Sequence, residues 1–292
     1  MAREETPLGR ILSDFMASPT AVFGLVLLAA ILTVAIAAPF ISPQNPYDLA
    51  QLDVMDGRLP PGAKTDGGTF WLGTDDQGRD MLSAIFYGLR ISLTVGVVST
   101  VVALALGLAL GLAAAYLGGR TETVIMRIAD IQLSFPAILI ALILLAVLGQ
   151  GMLKIIAALV TVQWAYYART VRSAALVEKR KEYIEAARCL ALPPSRIVFR
   201  HLLPNCLPPL IVVATVQVAA AIALEATLSF LGLGLPITEP SLGLLIANGY
   251  QYLLSGKYWI SFFPGVALLL TIVSINLVAD QLRDVLNPRL QR

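Results

Sequence analysis

The chain has 292 residues, of which 57% are hydrophobic and 14% charged, with a formal net charge of +2 and a mean hydropathy of +0.77. Soluble domains carry about 25% charged residues, so lipid is the expected solvent for most of this chain. The small net charge argues against a nucleic-acid partner, and two cysteines, Cys189 and Cys206, cannot frame a disulfide scaffold.

The pattern predicts an all-α membrane protein. A cytoplasmic N-terminal segment occupies 1–19, followed by a first transmembrane helix at 20–41. The sequence "AIA" at 35–37 mimics a signal-cleavage site, but Glu4, Glu5 and Asp14 precede a long apolar run, which favours an uncleaved span. Residues 42–90 form an extracytoplasmic loop rich in Pro, Gly and Asp. Its acidic residues (Asp48, Asp53, Asp56, Asp66, Asp75, Asp76 and Asp80) lack the spacing of a Ca²⁺ loop, and a structured cap that meets a soluble protein is the stronger expectation. In "TDDQGRD" (74–80), Thr74 or Asp75 is expected to cap a helix that starts near Asp80.

Five further apolar runs follow, within a five-helix core at 91–282: 91–118, 126–149, 151–172, 207–232 and 259–281. Each reaches the roughly 20 helical residues that cross a bilayer core. Gly107 and Gly111 give the second span a spacing suited to close helix contact. Pro136 should kink the third. Gln163, Tyr166, Tyr167 and Arg169 dilute the fourth. Arg127 and Asp130 suit a mutual ion pair, a spacing that Asp280 and Arg283 repeat. With the N-terminus in the cytoplasm, 15 Lys and Arg fall inside and 6 outside, which sets both termini inside. The tail is 283–292.

The loop at 173–206 is the largest cytoplasmic one. Glu178–Ala191 suits a helix, ended by Pro193 and Pro194, with Ile184, Ala187, Leu190 and Ala191 on one apolar face. Ser195 can cap a second short helix, Arg196–Leu203. A generic basic loop would only touch lipid headgroups; the order of small, apolar and basic residues here favours a protein partner.

Glu225 lies within the fifth span, where an ionisable group is expensive. It serves either a structural hydrogen-bond role or the substrate path. Gln217, two turns earlier, falls near the same face. His201 stands without metal-ligand companions. Around 242–254 a short outer helix is expected. Tyr250, Tyr252, Tyr258 and Trp259 suit an interfacial aromatic belt or a substrate entrance.

"EAARCLALPPSRIVFRHLLPN" (185–205) resembles the EAA loop of ABC-importer permeases, with Ala191 where that family usually has Gly. "FWLGTDDQGRDMLSAIFYGLRISLTVG" (70–96), "LEATLSFLGLG" (224–234) and "NLVADQLRDVLNPR" (276–289) resemble the dipeptide, oligopeptide and nickel permeases, although Ala279 again replaces a usual Gly. The resemblance implies a type I importer fold with a cytoplasmic coupling helix in a bacterial inner membrane. Glu185, Ala186, Ala187, Ala191, Arg196, Arg200, Leu203 and Pro204 would couple the chain to an ATPase. Ala191 is expected to stay helical.

It also implies partners: a second, non-identical permease, one or two ATPase subunits that bind ATP and Mg, and an extracytoplasmic substrate-binding protein. This chain has no G-x-x-x-x-G-K-[ST] phosphate loop, so no cofactor of its own is expected. The cargo expected is a di- or oligopeptide; nickel, glutathione and opines are alternatives within the family. A self-sufficient secondary transporter would need buried charges near the midplane, and a membrane enzyme would need a clustered His or carboxylate motif on a span. Neither pattern occurs.

Overall fold

A computed structural model describes residues 7–65 and 68–286. Asp66, the residues before 7 and the tail from 287 lie outside the described residues. A short helix, α1 (Pro7–Met16), leads into α2 (Pro19–Ile41), whose N-cap is Ser18. The loop after α2 holds two 3₁₀ turns and a small antiparallel hairpin, β1 (Ala63–Thr65) and β2 (Gly68–Phe70). Next come α3 (Met81–Leu117), α4 (Gly119–Leu133), α5 (Ala137–Leu148) and α6 (Met152–Glu178). The loop after α6 contains α7 (Glu182–Cys189) and α8 (Pro194–Arg196). A π-helical segment, Ile197–Leu202, then runs without a break into α9 (Leu203–Phe230). The chain ends with α10 (Leu242–Tyr250) and α11 (Trp259–Leu286).

Among the described residues, four helices are long and apolar enough to cross a membrane: α2, α3, the continuous stretch Pro194–Phe230, and α11. The expected third span is not one kinked helix. It is the pair α4 and α5, bent by 92°. At about 1.5 Å per residue, α5 is only about 18 Å long. The break follows from Pro136, which has no N–H and pushes Phe135 out of helical geometry. Ser134 closes α4 by bonding back to the Asp130 carbonyl through both its N–H and its Oγ. The expected fourth span, α6, is about 40 Å long, yet polar residues keep it from being uniformly apolar.

The centre of the bundle is the crossing of α3 and α6. A Cβ at Gly107 would stand 2.5 Å from Tyr167 Cβ and 2.6 Å from the Trp164 carbonyl. At Gly111 it would stand 2.6 Å from the Ala168 carbonyl and 2.7 Å from Val171 Cβ. The small-residue spacing therefore lets the two backbones meet. α9 packs against both α3 and α6, and α11 brings in α2.

The loop between α2 and α3 is bolted to this bundle by buried polar contacts. Asp80, not Thr74 or Asp75, caps α3, and its Oδ2 accepts from the Ser83 N–H at 2.8 Å. Thr74 instead accepts from the Leu59 N–H at 2.7 Å, and Asp75 pairs with Arg79 at 2.6 Å. Arg79, 1% exposed, also donates to the Ile237 carbonyl at 3.1 Å. Trp259 is buried and donates to the Thr74 carbonyl at 3.1 Å, so it anchors the loop rather than joining an aromatic belt. Tyr250 and Tyr258 are exposed.

Gly107→Val should destabilise the bundle by about 1–3 kcal/mol, the usual cost of overpacking, and lower the unfolding temperature of the detergent-purified chain. Gly265→Ala, with nothing within 4 Å of the added Cβ, should leave it nearly unchanged.

Candidate functional site: the loop between α6 and α9

The loop between α6 and α9 is built in three joints. At the first, α6 ends at Glu178 and the chain turns through Lys179–Lys181. The expected helix Glu178–Ala191 is therefore divided. Glu178 is buried; its carboxylate accepts from Lys181 Nζ at 2.8 Å and from the Tyr183 hydroxyl. Burial pushes this carboxyl up, but the bonds from Lys181 and Tyr183 outweigh it and hold it below the ordinary value. Burial and the hydrogen bond to Glu178 push the Tyr183 phenol well up. Asn205 Nδ2 closes the cluster, donating to Tyr183 Oη at 3.1 Å and to the His201 carbonyl at 2.7 Å. Lys179 Nζ donates to the carbonyls of Ala115 and Tyr116, at 2.9 and 3.1 Å, at the C-terminus of α3. A cation there also suits the helix dipole.

At the second joint, α7 rests on the bundle through Ile184 and Ala187, which pack with Ile197, Tyr116 and Leu192. Glu185, Ala186, Arg188 and Cys189 face outward. The predicted apolar face is half right. Leu190 is 74% exposed and Ala191 is exposed too. The reason lies in the end of the helix. Ala191 has φ +54°, a left-handed residue, so the expectation of a helical Ala191 is overturned. The Leu192 N–H donates to the Ala187 carbonyl at 3.2 Å and the Ala191 N–H to the Arg188 carbonyl at 2.9 Å. These two bonds define a Schellman motif, whose C′ position glycine ordinarily fills. An L-residue there costs roughly 1–2 kcal/mol.

At the third joint, Pro193 turns the chain into α8. Ser195 makes no capping bond. The expected separate helix Arg196–Leu203 is the first part of the long fifth helix instead. Its π register is visible where the Leu203 N–H reaches back five residues to the Val198 carbonyl. Pro204, Pro208 and Pro209 lack the N–H groups that would otherwise bond the turn before them. Arg196, Arg200, Pro204 and Phe199 (66% exposed) face outward, and Leu203 is half-buried. The loop therefore presents one continuous surface, from Glu185 to Arg200, on a base fixed to α3, α6 and α9.

The other predicted residues lie apart. Glu225 is fully buried and accepts from Ser92 Oγ at 2.9 Å and Ser229 Oγ at 2.8 Å, tying α9 to α3. This is hydrogen-bond satisfaction inside the bundle. Gln217 is half-buried and does not join it; its carbonyl accepts from Gln163 Nε2 at 3.4 Å. Asp130 pairs with Arg169 of α6 at 3.2 Å rather than with Arg127. No ion pair joins Asp280 and Arg283 among the described residues; Gln281 of the same helix donates to the Asp14 carbonyl at 3.2 Å. Cys206 is buried and Cys189 exposed.

Residues 107–292 match the family model described as a binding-protein-dependent transport system inner membrane component, so the chain belongs to that family of membrane permeases. Residues 6–61 match the N-terminal transmembrane domain of oligopeptide transport permease C. Among individual proteins, the chain is 40% identical over 289 residues to the dipeptide transport system permease protein DppC of Escherichia coli K12, covering 98% of this chain and 95% of that one. It is 36% identical to the di/tripeptide permease DppC of Pseudomonas aeruginosa, with 98% and 93% covered. DppC of Bacillus subtilis is also 36% identical, with 93% and 82% covered. The fold resembles an inward-facing structure of the MetNI methionine ABC transporter, with a TM-score of 0.58 and 23% identity over 71% of this chain and 98% of that one.

Ala191→Gly should relieve the left-handed strain and stabilise the end of α7 by about 1 kcal/mol. Hydrogen exchange at the Ala191 and Leu192 amides should slow about fivefold, as a gain of that size requires.

Proposed function

We propose that this chain is one half of the membrane pathway of an ATP-driven importer of di- or oligopeptides. It is paired with a similar, non-identical permease and driven by separate ATPase subunits. The observation that carries the reading is the exposed α7 surface, whose base is bonded to α3 and α6 and whose C-terminal side is continuous with α9. A push on α7 then reaches the ends of α3 and α6 through bonded joints, while α9 is joined through a segment loosened by the π turn and its prolines. Family membership supports the class, and the peptide names of its relatives support the cargo.

In this reading the α4–α5 pair and α6 complete six crossings, with both termini in the cytoplasm. Glu185, Ala186, Ala187, Ala191, Arg196, Arg200, Leu203 and Pro204 belong to the coupling surface. Of these, Ala187 is the buried foot and Ala186 the small outward residue that lets another surface approach. A loaded binding protein docks outside, ATP closes the ATPase pair, and the two loops are drawn together. The permease pair is then the two-state element that both ligands bias.

The test is purification of the tagged chain from its native membranes, then reconstitution with whatever co-purifies. A second permease and ATPases should accompany it. Vesicles given ATP, the binding protein and a library of di- and tripeptides should accumulate peptides, read by mass spectrometry. Glu185→Lys should leave the complex in the membrane but cut uptake at least tenfold. A chain that purifies alone and transports alone would overturn the reading, and uptake of nickel, glutathione or opines in place of peptides would overturn the cargo.

A further inference from the structure

The outward face of the cytoplasmic half of α6 carries Tyr166, Arg169, Thr170 and Ser173. Positions 166, 169–170 and 173 fall at helical spacing and form one stripe. With Leu133 of α4 and Asn205 and Pro209 of α9, this stripe lines a cleft of about 930 Å³. Two smaller clefts adjoin it. One, of about 270 Å³, shares Asp130-facing Arg169. The other, of about 530 Å³, shares Glu178, Asn205 and Pro209. The largest has the size of a site for a small molecule.

What covers this cleft follows from its chemistry. Hydrocarbon is a poor neighbour: between the apolar Leu133, Ala174, Val177 and Pro209 the cleft holds the Arg169 guanidinium and the hydroxyls of Tyr166, Thr170 and Ser173, and a charge facing lipid is costly. A purely apolar exposed flank lies elsewhere, on α5, where Leu139, Ile143 and Val147 are exposed. An apolar partner helix is no better, because the Arg169–Asp130 pair, 54% and 46% exposed, would have to be desolvated. Exposed as it stands, that pair is weakly held. Its two charges are available to water or to a small solute with both an ammonium and a carboxylate.

We infer that the Tyr166–Arg169–Thr170–Ser173 stripe lines the water-filled cytoplasmic mouth of the solute path, with Arg169 and Asp130 as its charged rim. The inference rests on the importer reading and moves the path away from Glu225, which is enclosed by its own chain.

The test uses the assembled importer in inside-out vesicles, with Ser173→Cys or Thr170→Cys in this chain. The probes are a charged, membrane-impermeant methanethiosulfonate and a lipophilic maleimide, and each site is read by peptide mass spectrometry. Val147→Cys, on the exposed apolar face of α5, serves as the reference. The stripe positions should react with the charged reagent without nucleotide, and at least tenfold more slowly when ATP and vanadate trap the complex. Reaction with the maleimide alone, as at Val147→Cys, would place the stripe in lipid and overturn the inference. No reaction with either reagent would place it under a partner helix and overturn it too, as would labelling that nucleotide leaves unchanged. Peptide uptake by the unsubstituted complex, measured in parallel, separates this failure from failure of the importer reading itself.

Discussion

A backbone N–H or carbonyl left open in hydrocarbon costs several kcal/mol, and this constraint governs where the chain can afford to be irregular. α4 stops at Leu133 and α5 starts at Ala137, so the carbonyls and N–H groups between them need other partners. Ser134 supplies one from its own hydroxyl. Gln132 reaches across and donates to the Val162 carbonyl at 3.1 Å, while accepting from Trp164 Nε1 at 2.7 Å. At the other end of α5, Gln150 donates to the Gly232 carbonyl at 2.8 Å. Ser134 closes the end of α4 from within, while Gln132 and Gln150 each fix one helix against another.

The same device attaches the loop after α6. Lys179 completes the C-terminus of α3, and the Asn205 side chain donates to the His201 carbonyl. The loop is thus held by the ends of the helices around it. The prolines and the π turn weaken α9 along its own axis just above that attachment, between Ile197 and Pro209. The fixed joint is at α3 and α6; the compliant one is in α9. A displacement of α7 would therefore carry the ends of α3 and α6 together and be absorbed in α9.

Much of this was legible in the sequence. The first and sixth apolar runs match their helices within a few residues, whereas the second and fifth lie in helices that start earlier: at Met81, because Asp80 caps a helix that extends beyond the apolar stretch, and at Pro194, because the π segment joins α9 without a break. The Gly107–Gly111 contact followed from spacing alone. Three features were not readable. Ala191 has good helix propensity, and its left-handed conformation is imposed by the turn that returns the chain to Ile197, so only the resemblance, with its usual Gly, carried the signal. Ser195 has the right type for a cap but follows a helix start already set by Pro193 and Pro194. Asp130 had two arginines within reach, and which it pairs with depends on where α6 lies, not on spacing within α4.

The dilution of α6 by polar residues carries the most information. On hydropathy alone, Gln163, Tyr166, Tyr167 and Arg169 weaken the case for a span. In the fold they divide by face. Gln163 and Tyr167 turn inward, where Gln163 meets the α9 backbone and Tyr167 packs beside Gly107. Tyr166 and Arg169 turn outward into the cleft. A helix with one packed face and one face of exposed polar side chains cannot be uniformly apolar, which is why α6 is the weakest apolar run among the predicted spans.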